Sequence, residues 1–529
     1  MINATTPTTR RGLLGMMAII PLSLANRSSG VGAGRQTARK LPTQQGTALG
    51  EAGDGGTVEQ AIVSISVEEM GAVSLPTGTD STAAIRAALD RASLTGATVV
   101  GIPGKQYAIA GAGVGAWPAG VKIRNLWMKR SGTVSAPAIL IQSAGIFTAD
   151  GLIIEEAADH SSQNGSIVVD HALAEWLFDN CRATKGYSGL WVKQCARGTG
   201  NNCDFSYSSH PVYFGRNDVT GLGASYGYVD NVVLNDCNGH HAKTGGDGLK
   251  TVSRTRNLNV VGGEYYANDQ DGIDLFAGCM KARFSGVKIY DNRLQGFDIK
   301  VGDSANGLPN YPEADWGERH DITIYGCFFN RNGYNAIKVF GDDINGYYKR
   351  VTVTNCQIDL CGGHGIVMRG IDCTISKNII RRCGQASGTA ELAGISIHYD
   401  TPVRSGLKIT DNVVIDCGRA GSAGSAGMLF TNCSFADIAG NTTGNRDTAN
   451  QQISYFFNGG VFNRLDRCSH VGSVPGQVIG LQANNVIFGL RCGLPIRSIT
   501  ATATAVNFRV TTDIRGLSNP YPFVISMTS

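Results

Sequence analysis

Apolar and polar residues alternate in short runs along most of this chain, and from Asp247 onward the runs return in a fixed form. Each return is a turn, a glycine and an alternating strand: Asp247-Gly-Leu-Lys250, Asp271-Gly-Ile-Asp274, Gln295-Gly-Phe-Asp298, Asn335-Ala-Ile-Lys338, His364-Gly-Ile-Val367, Ala393-Gly-Ile-Ser396 and Ala426-Gly-Met-Leu429. Their fourth residues are separated by 24, 24, 40, 29, 29 and 33 positions. A period in the twenties with one strand per return predicts a solenoid, and the longer steps are the same unit with loop inserted.

Alternate residues of a strand face opposite ways, so Leu249, Ile273, Phe297, Ile337, Ile366, Ile395 and Met428 are predicted to point into the coil. The outward column then reads Lys250, Asp274, Asp298, Lys338, Val367, Ser396, Leu429, and the next one Val252, Phe276, Lys300, Phe340, Arg369, His398, Thr431. Stacked as parallel strands, successive rungs lie about 4.8 Å apart. Asp274, Asp298, Lys300, Lys338 and Arg369 would share one patch, which is taken as the working face.

The ends read differently. Thr9-Arg10-Arg11 precedes an apolar run from Gly12 to Ala25 that closes on small residues, the pattern of a twin-arginine export signal and too short for a membrane span. Residues 26–63 are rich in Gly, Ser, Thr and Gln and read as a linker or arm. The β-helix is expected over 64–455, opened by a helix after Asp80 or Ser81 with Ile85, Leu89 and Ala92 on its apolar side. Such a helix covers the apolar end of a solenoid that no further coil would bury. Residues 456–529 still alternate and are expected to form a β-rich cap or small domain, one that could also mediate trimerisation.

Composition removes other classes. Seventy glycines with 15 prolines and no Gly-X-Y period fit turn-rich β structure. A net charge of +4 on 46 basic and 42 acidic side chains gives no reason to expect nucleic acid, and no other segment could span a bilayer. Cys237, Cys327, Cys356, Cys383 and Cys417 each follow an alternating strand, which predicts a ladder of reduced, buried thiols and not disulfides; their spacings match no zinc pattern.

The run from Val67 to Ile109, a strand ending Gly-Ala, an Asp-Ser-Thr-Ala-Ala-Ile helix and a strand pair around Pro103, resembles the opening of the pectate-lyase-like superfamily. The coil pattern over about 120 to 440 extends the resemblance. It implies an all-β, right-handed parallel β-helix, and a group that includes polygalacturonase-related hydrolases, polysaccharide lyases, alginate epimerases and phage tailspikes. Asp269-Gln-Asp271-Gly-Ile-Asp274 resembles the Asn-Thr-Asp-Gly-Ile-Asp of polygalacturonases, and Gly363-His364-Gly365 their Gly-His-Gly. The next coil departs from that family, with Gln295-Gly-Phe-Asp298 where paired aspartates stand, and no Arg-Ile-Lys follows; the Asp-Pro-His of alginate epimerases is also absent.

Hydrolysis of a glycosidic bond needs two carboxyl groups, which Asp274 and Asp298 would supply, with Asp271 as an alternative to Asp274 or a turn residue. Elimination or epimerisation needs a base and a positive group or calcium: Lys300, Lys338, Arg369 or His398 could act as base or neutraliser, and Asp274 with Asp298 could ligate Ca²⁺. Lys250, Tyr311, Trp316, His364 and His398 are the expected substrate contacts, the aromatics lying on the inserted loop 302–319 and a second insertion carrying Tyr347 and Tyr348. The expectation is therefore an exported enzyme, periplasmic or extracellular, monomeric or trimeric, that cleaves an acidic polysaccharide by hydrolysis or elimination. A uronan C5-epimerase, or a tailspike-like or adhesion protein that binds glycan without cutting it, are the alternatives.

Overall fold

The computed structural model describes residues 63–500 apart from 78–79, 133, 157–164, 217–226, 244, 253, 277, 302–319, 342–345, 386–391, 420–423, 449, 473–477, 480, 483–485 and 489–498. The chain divides into two units, 1–59 and 60–529, and no residue of the first is among those described. The expected export signal, nearly all of the linker, and the loop carrying Tyr311 and Trp316 therefore lie outside the described residues.

Three long parallel sheets, of sixteen, fourteen and fourteen strands, wind through the described residues of the second unit. Each strand pairs with the equivalent strand one coil before and one coil after, so every coil contributes one strand to each sheet. The helix α1 (Thr82–Thr95) stands at the start and buries Ile85, Ala88, Leu89 and Ala92. Asp80, not the side chain of Ser81, receives the Thr82 backbone N–H (2.9 Å), and the Thr82 hydroxyl together with this bond lowers the Asp80 pKa. Coils continue past residue 456, through Arg464–Asp466, Ser469–Val471 and Val486–Phe488, all paired within the same sheets. The described part of 456–529 is thus largely further coil.

The corners explain much of the odd composition. Where the first sheet turns into the third, single residues take a left-handed conformation: Asn180, Asn202, Asp236, Asn355, Lys377 and Asp411, or a glycine. The residue after each points inward, and there Cys181, Cys203 and Cys237, then Gly263 and Val287, then Cys327 and Cys356 follow one another before Asn378, Asn412 and Asn441 take over. The amides form a ladder, Asn378 Nδ2 donating to Asn412 Oδ1 and Asn412 Nδ2 to Asn441 Oδ1, both at 2.9 Å. The next corner repeats the device with Asn268, Asn292 and Asn332, followed by Cys361, Cys383 and Cys417. All thirteen described cysteines are free and buried; the five of the expected ladder divide between these two corners, and Cys195, Cys279, Cys373 and Cys433 lie where the second sheet leads back to the first.

That second asparagine ladder also accounts for the glycine in the first three returns. A Cβ on Gly272 would lie 2.8 Å from Asn292 Nδ2 and 2.7 Å from the Gly296 carbonyl oxygen, and one on Gly248 would lie 2.6 Å from Asn268 Nδ2. The backbone and the amide column press together too closely for a side chain.

Candidate active site on the second sheet

Four strands of the second sheet carry the charged face: β1 (Leu249–Val252), β2 (Ile273–Phe276), β3 (Phe297–Lys300) and β4 (Ile337–Phe340). Two more follow, β5 (Ile366–Met368) and β6 (Ala393–Arg404). Their register aligns Lys250, Asp274, Asp298, Lys338, Val367 and Ser396 in one column, and Val252, Phe276, Lys300 and Phe340 in the next. Leu249, Ile273, Phe297, Ile337, Ile366, Ile395 and Met428 are fully buried beneath them. Aliphatic stacking inside the coil therefore holds the outward charges in line.

The charges form a continuous network. Lys250 Nζ lies 2.9 Å from Asp247 Oδ2 and 2.8 Å from Asp274 Oδ2. Lys300 Nζ reaches three carboxylates, Asp298 at 3.0 Å, Asp274 at 3.3 Å and Asp271 at 3.8 Å, and Lys338 Nζ stands 3.6 Å from Asp298. A cavity of about 500 Å³ opens above, lined by Asp271, Asp298, Lys250, Lys300 and Lys338, with Tyr213, Phe276 and Leu294 among its apolar walls.

Within this network the two expected readings of the first aspartate separate. Asp274 is fully buried, does not line the cavity, and gives one oxygen to both Lys250 and Lys300. Although burial acts to raise it, the two lysines bring its pKa below the ordinary value. Asp271 does line the cavity, and its pKa is well above the ordinary value, first because of burial and then because Asp298, Asp247 and Asp274 crowd it. Asp247 is raised by burial as well. Lys250 and Lys300 are both shifted upward: burial opposes their charge, but the surrounding aspartates outweigh it.

Asp271 is also a turn residue. Its Oδ1 accepts the Gln295 backbone N–H at 2.7 Å, as Asp247 Oδ1 accepts that of Asp271 at 3.0 Å. The column runs on through Gln295, Asn335 and His364, each accepting the N–H of the next coil, with His210 at its head. With Oδ1 held as an acceptor, a proton on Asp271 belongs on Oδ2, the oxygen facing Lys300.

Of the other expected residues that are described, all but Lys250 fall outside the cavity. His364 is spent in the turn column, where burial drives its pKa down to about 4, so it is neutral and accepts the Ala393 N–H. Arg369 stacks on Phe340 (4.8 Å) and pairs with Asp400 (2.8 Å), which also lies 3.7 Å from His398. A shift in register after His398 brings Asp400 out of the alternation. Tyr348 is fully buried and Tyr347 packs edge-on against Tyr399. Lys250 lines the cavity but is tied to Asp247 and Asp274 and is not a free contact for substrate. Sequence reasoning missed Asp247 and Tyr213 at the site; Asp247 occupies the same place in its return as Asp271, which was the available signal.

The oxygens that come closest to a cation site belong to Asp247, Asp271 and Asp274, mutually within 4.8 Å, and not to the expected pair Asp274 and Asp298. Lys250 already sits against Asp247 and Asp274, and Lys300 against Asp274 and Asp271. Calcium takes six to eight oxygens, and this donor set, occupied by two ammonium groups, does not fit it.

No curated protein matches the sequence significantly. Among solved structures, the A-module of the mannuronan C-5 epimerase AlgE6 of Azotobacter vinelandii is similar at 15% identity and a TM-score of 0.44, over 81% of this chain and 99% of that one. The family 28 exopolygalacturonase of Yersinia enterocolitica follows at 13% identity and a TM-score of 0.41, over 75% and 77%. PfbA, a surface adhesin of Streptococcus pneumoniae, is similar at 12% identity and a TM-score of 0.37, over 85% and 90%. At these values the likenesses say nothing of activity. The family model for the right-handed β-helix region matches residues 137–310 and 314–464, more than half of the chain. With three parallel sheets in coil-by-coil register over the same span, the chain belongs to the right-handed parallel β-helix family.

Proposed function

We propose that this protein hydrolyses glycosidic bonds in a polysaccharide laid across the second sheet, with Asp271 as general acid and Asp298 as the partner carboxylate. The observation that carries this reading is the contrast between two acids on one cavity wall: Asp271 is pushed toward holding its proton, while Asp298 contacts two ammonium groups. As the glycosidic C–O bond breaks, its electron pair goes to the leaving oxygen, which takes the proton from Asp271 Oδ2. Asp298 acts at the anomeric carbon, as base for a water or as nucleophile. Lys300, in contact with both, stabilises the charge left on Asp271.

Elimination is the weaker reading because a lysine that takes the proton from the sugar ring must itself be unprotonated. Lys250 and Lys300 are held protonated by the aspartates around them. The acidity expected of the polymer rests on Lys338, which has a single carboxylate, at 3.6 Å, among the described residues, and on Arg369 beyond Phe340.

The test is a panel of polygalacturonate, alginate and neutral glucans, following reducing ends and absorbance near 235 nm together. Reducing ends without the ultraviolet signal are expected. A parallel rise in both would replace hydrolysis with elimination, and binding without either product would replace catalysis with glycan capture.

A further inference from the structure

The wall of the cavity on the turn side is a column of residues one per coil. Gln270 and Leu294 belong to it, joined by the hydrogen bond from the Leu294 N–H to the Gln270 carbonyl; Tyr334 and Gly363 continue it by the same bond. Gln270 and Leu294 line the cavity, so Tyr334 stands one coil further along the same rim. Its side chain is half exposed, at 54%, and neither its ring nor its hydroxyl has a partner among the described residues.

The coil after it leaves that ring open. Gly363 has no side chain, and a Cβ there would lie 2.7 Å from Asn335 Oδ1 and 3.1 Å from the Tyr334 carbonyl carbon, so the next coil adds no side chain at this position of the rim. The floor at this level changes from Lys338 to Val367, and the opposite side carries Arg369, stacked on Phe340 and paired with the exposed Asp400. An exposed aromatic side chain, a floor that passes from Lys338 in the same coil to Val367 in the next, and a charged edge opposite continue the surface of the cavity one coil beyond Asp298. A pyranose ring has matching chemistry: an apolar face of C–H groups for the tyrosine and hydroxyl groups at its edge for Arg369 and Asp400.

We infer that this surface is an additional sugar subsite, with Tyr334 as its stacking platform, holding a unit of the same glycan next to the bond that is cut. The inference rests on the hydrolytic reading for its substrate, but the subsite can be tested by binding alone. Tyr334 touches none of the acids, and its exposure makes Tyr334→Ala a variant that folds. With a glycan that the wild type cleaves, Tyr334→Ala is expected to raise KM on the polymer about tenfold, leave kcat within about twofold, and shift the lengths of the products. Tyr334→Phe should restore the wild-type values. An unchanged KM with unchanged product lengths overturns the subsite and leaves hydrolysis standing. In parallel, Asp298→Asn with and without Tyr334→Ala is run through native gels containing polygalacturonate, alginate or glucan. If the wild type retards in such a gel but never cleaves, and Tyr334→Ala abolishes the retardation, the subsite stands and hydrolysis falls. No retardation and no cleavage on any of these glycans overturns both.

Discussion

Replacing Lys300 by methionine keeps the length of the side chain and removes one ammonium group that touches three carboxylates, at 3.0, 3.3 and 3.8 Å. Near a protein surface one such pair is worth about 4 kcal/mol in Coulomb energy, most of it offset by the cost of taking the ions out of water. What the substitution exposes is the uncompensated charge: four aspartates would face only Lys250 and Lys338. Breaking a buried pair costs about 3–5 kcal/mol, and the lower end, about 3 kcal/mol, is appropriate here because the Lys300 side chain is a quarter exposed. The loss should depend on pH with a definite sign. Lys300 has a raised folded pKa, so its own contribution is complete at every pH below the unfolded lysine value of about 10.4 and disappears only in alkali. Asp271 and Asp247 are raised, and so cost stability as pH climbs from about 3.9 through their folded values. Without Lys300 both rise further, and the penalty of Lys300→Met grows from about pH 4.5 to about pH 7. Urea unfolding followed by tryptophan fluorescence at both pH values measures it. A loss below about 1 kcal/mol at neutral pH, or one that is equal at the two pH values, would refute the reasoning.

Three further outcomes follow from the same geometry. Asp271→Asn should lower kcat/KM by about 10²–10⁴-fold with the fold intact, and should remove the decline in wild-type rate that comes as pH rises through the elevated Asp271 value; a pH–rate profile of both proteins checks it. Chelator should leave cleavage unchanged, because Lys250 and Lys300 already neutralise the carboxylates nearest to a cation site; loss of activity on dialysis against EDTA, restored by Ca²⁺, would contradict this. Asn412→Ala strips the N–H and amide donors of Asn378 of their acceptor and should cost about 3 kcal/mol by thermal or chemical unfolding, where a change below about 1 kcal/mol would show the ladder to be slack.

The charged face was legible because two periodicities act together. Strand alternation chose which side chains point out, and the recurring glycine fixed where each coil begins, so Lys250, Asp274, Asp298 and Lys338 could be aligned from spacing alone. What alternation cannot express is depth and partnership. It assigned Asp274 and Asp298 equal roles, whereas two lysines close over Asp274 and leave Asp271, a turn residue, facing the cavity. It placed Arg369 with the other charges, whereas the register shift in β6 brings out Asp400 to take it. The five cysteines of the expected ladder recur near once per coil on paper but occupy two different corners, because counting residues does not say which corner a position turns.

The backbone bond from Gln295 to Asp271 sets how this surface can be altered over time. The proposed acid belongs to one coil and its partner carboxylate to the next, and the hydrogen bond that orients the acid crosses the same boundary. A whole coil gained or lost elsewhere along the stack would lengthen or shorten the groove without touching the pair. A single residue inserted between Asp271 and Asp298 would misalign the acid, its orienting bond and the bridging lysine in one stroke. Substrate length can thus drift freely in this molecule while the chemistry is held by one junction between neighbouring turns.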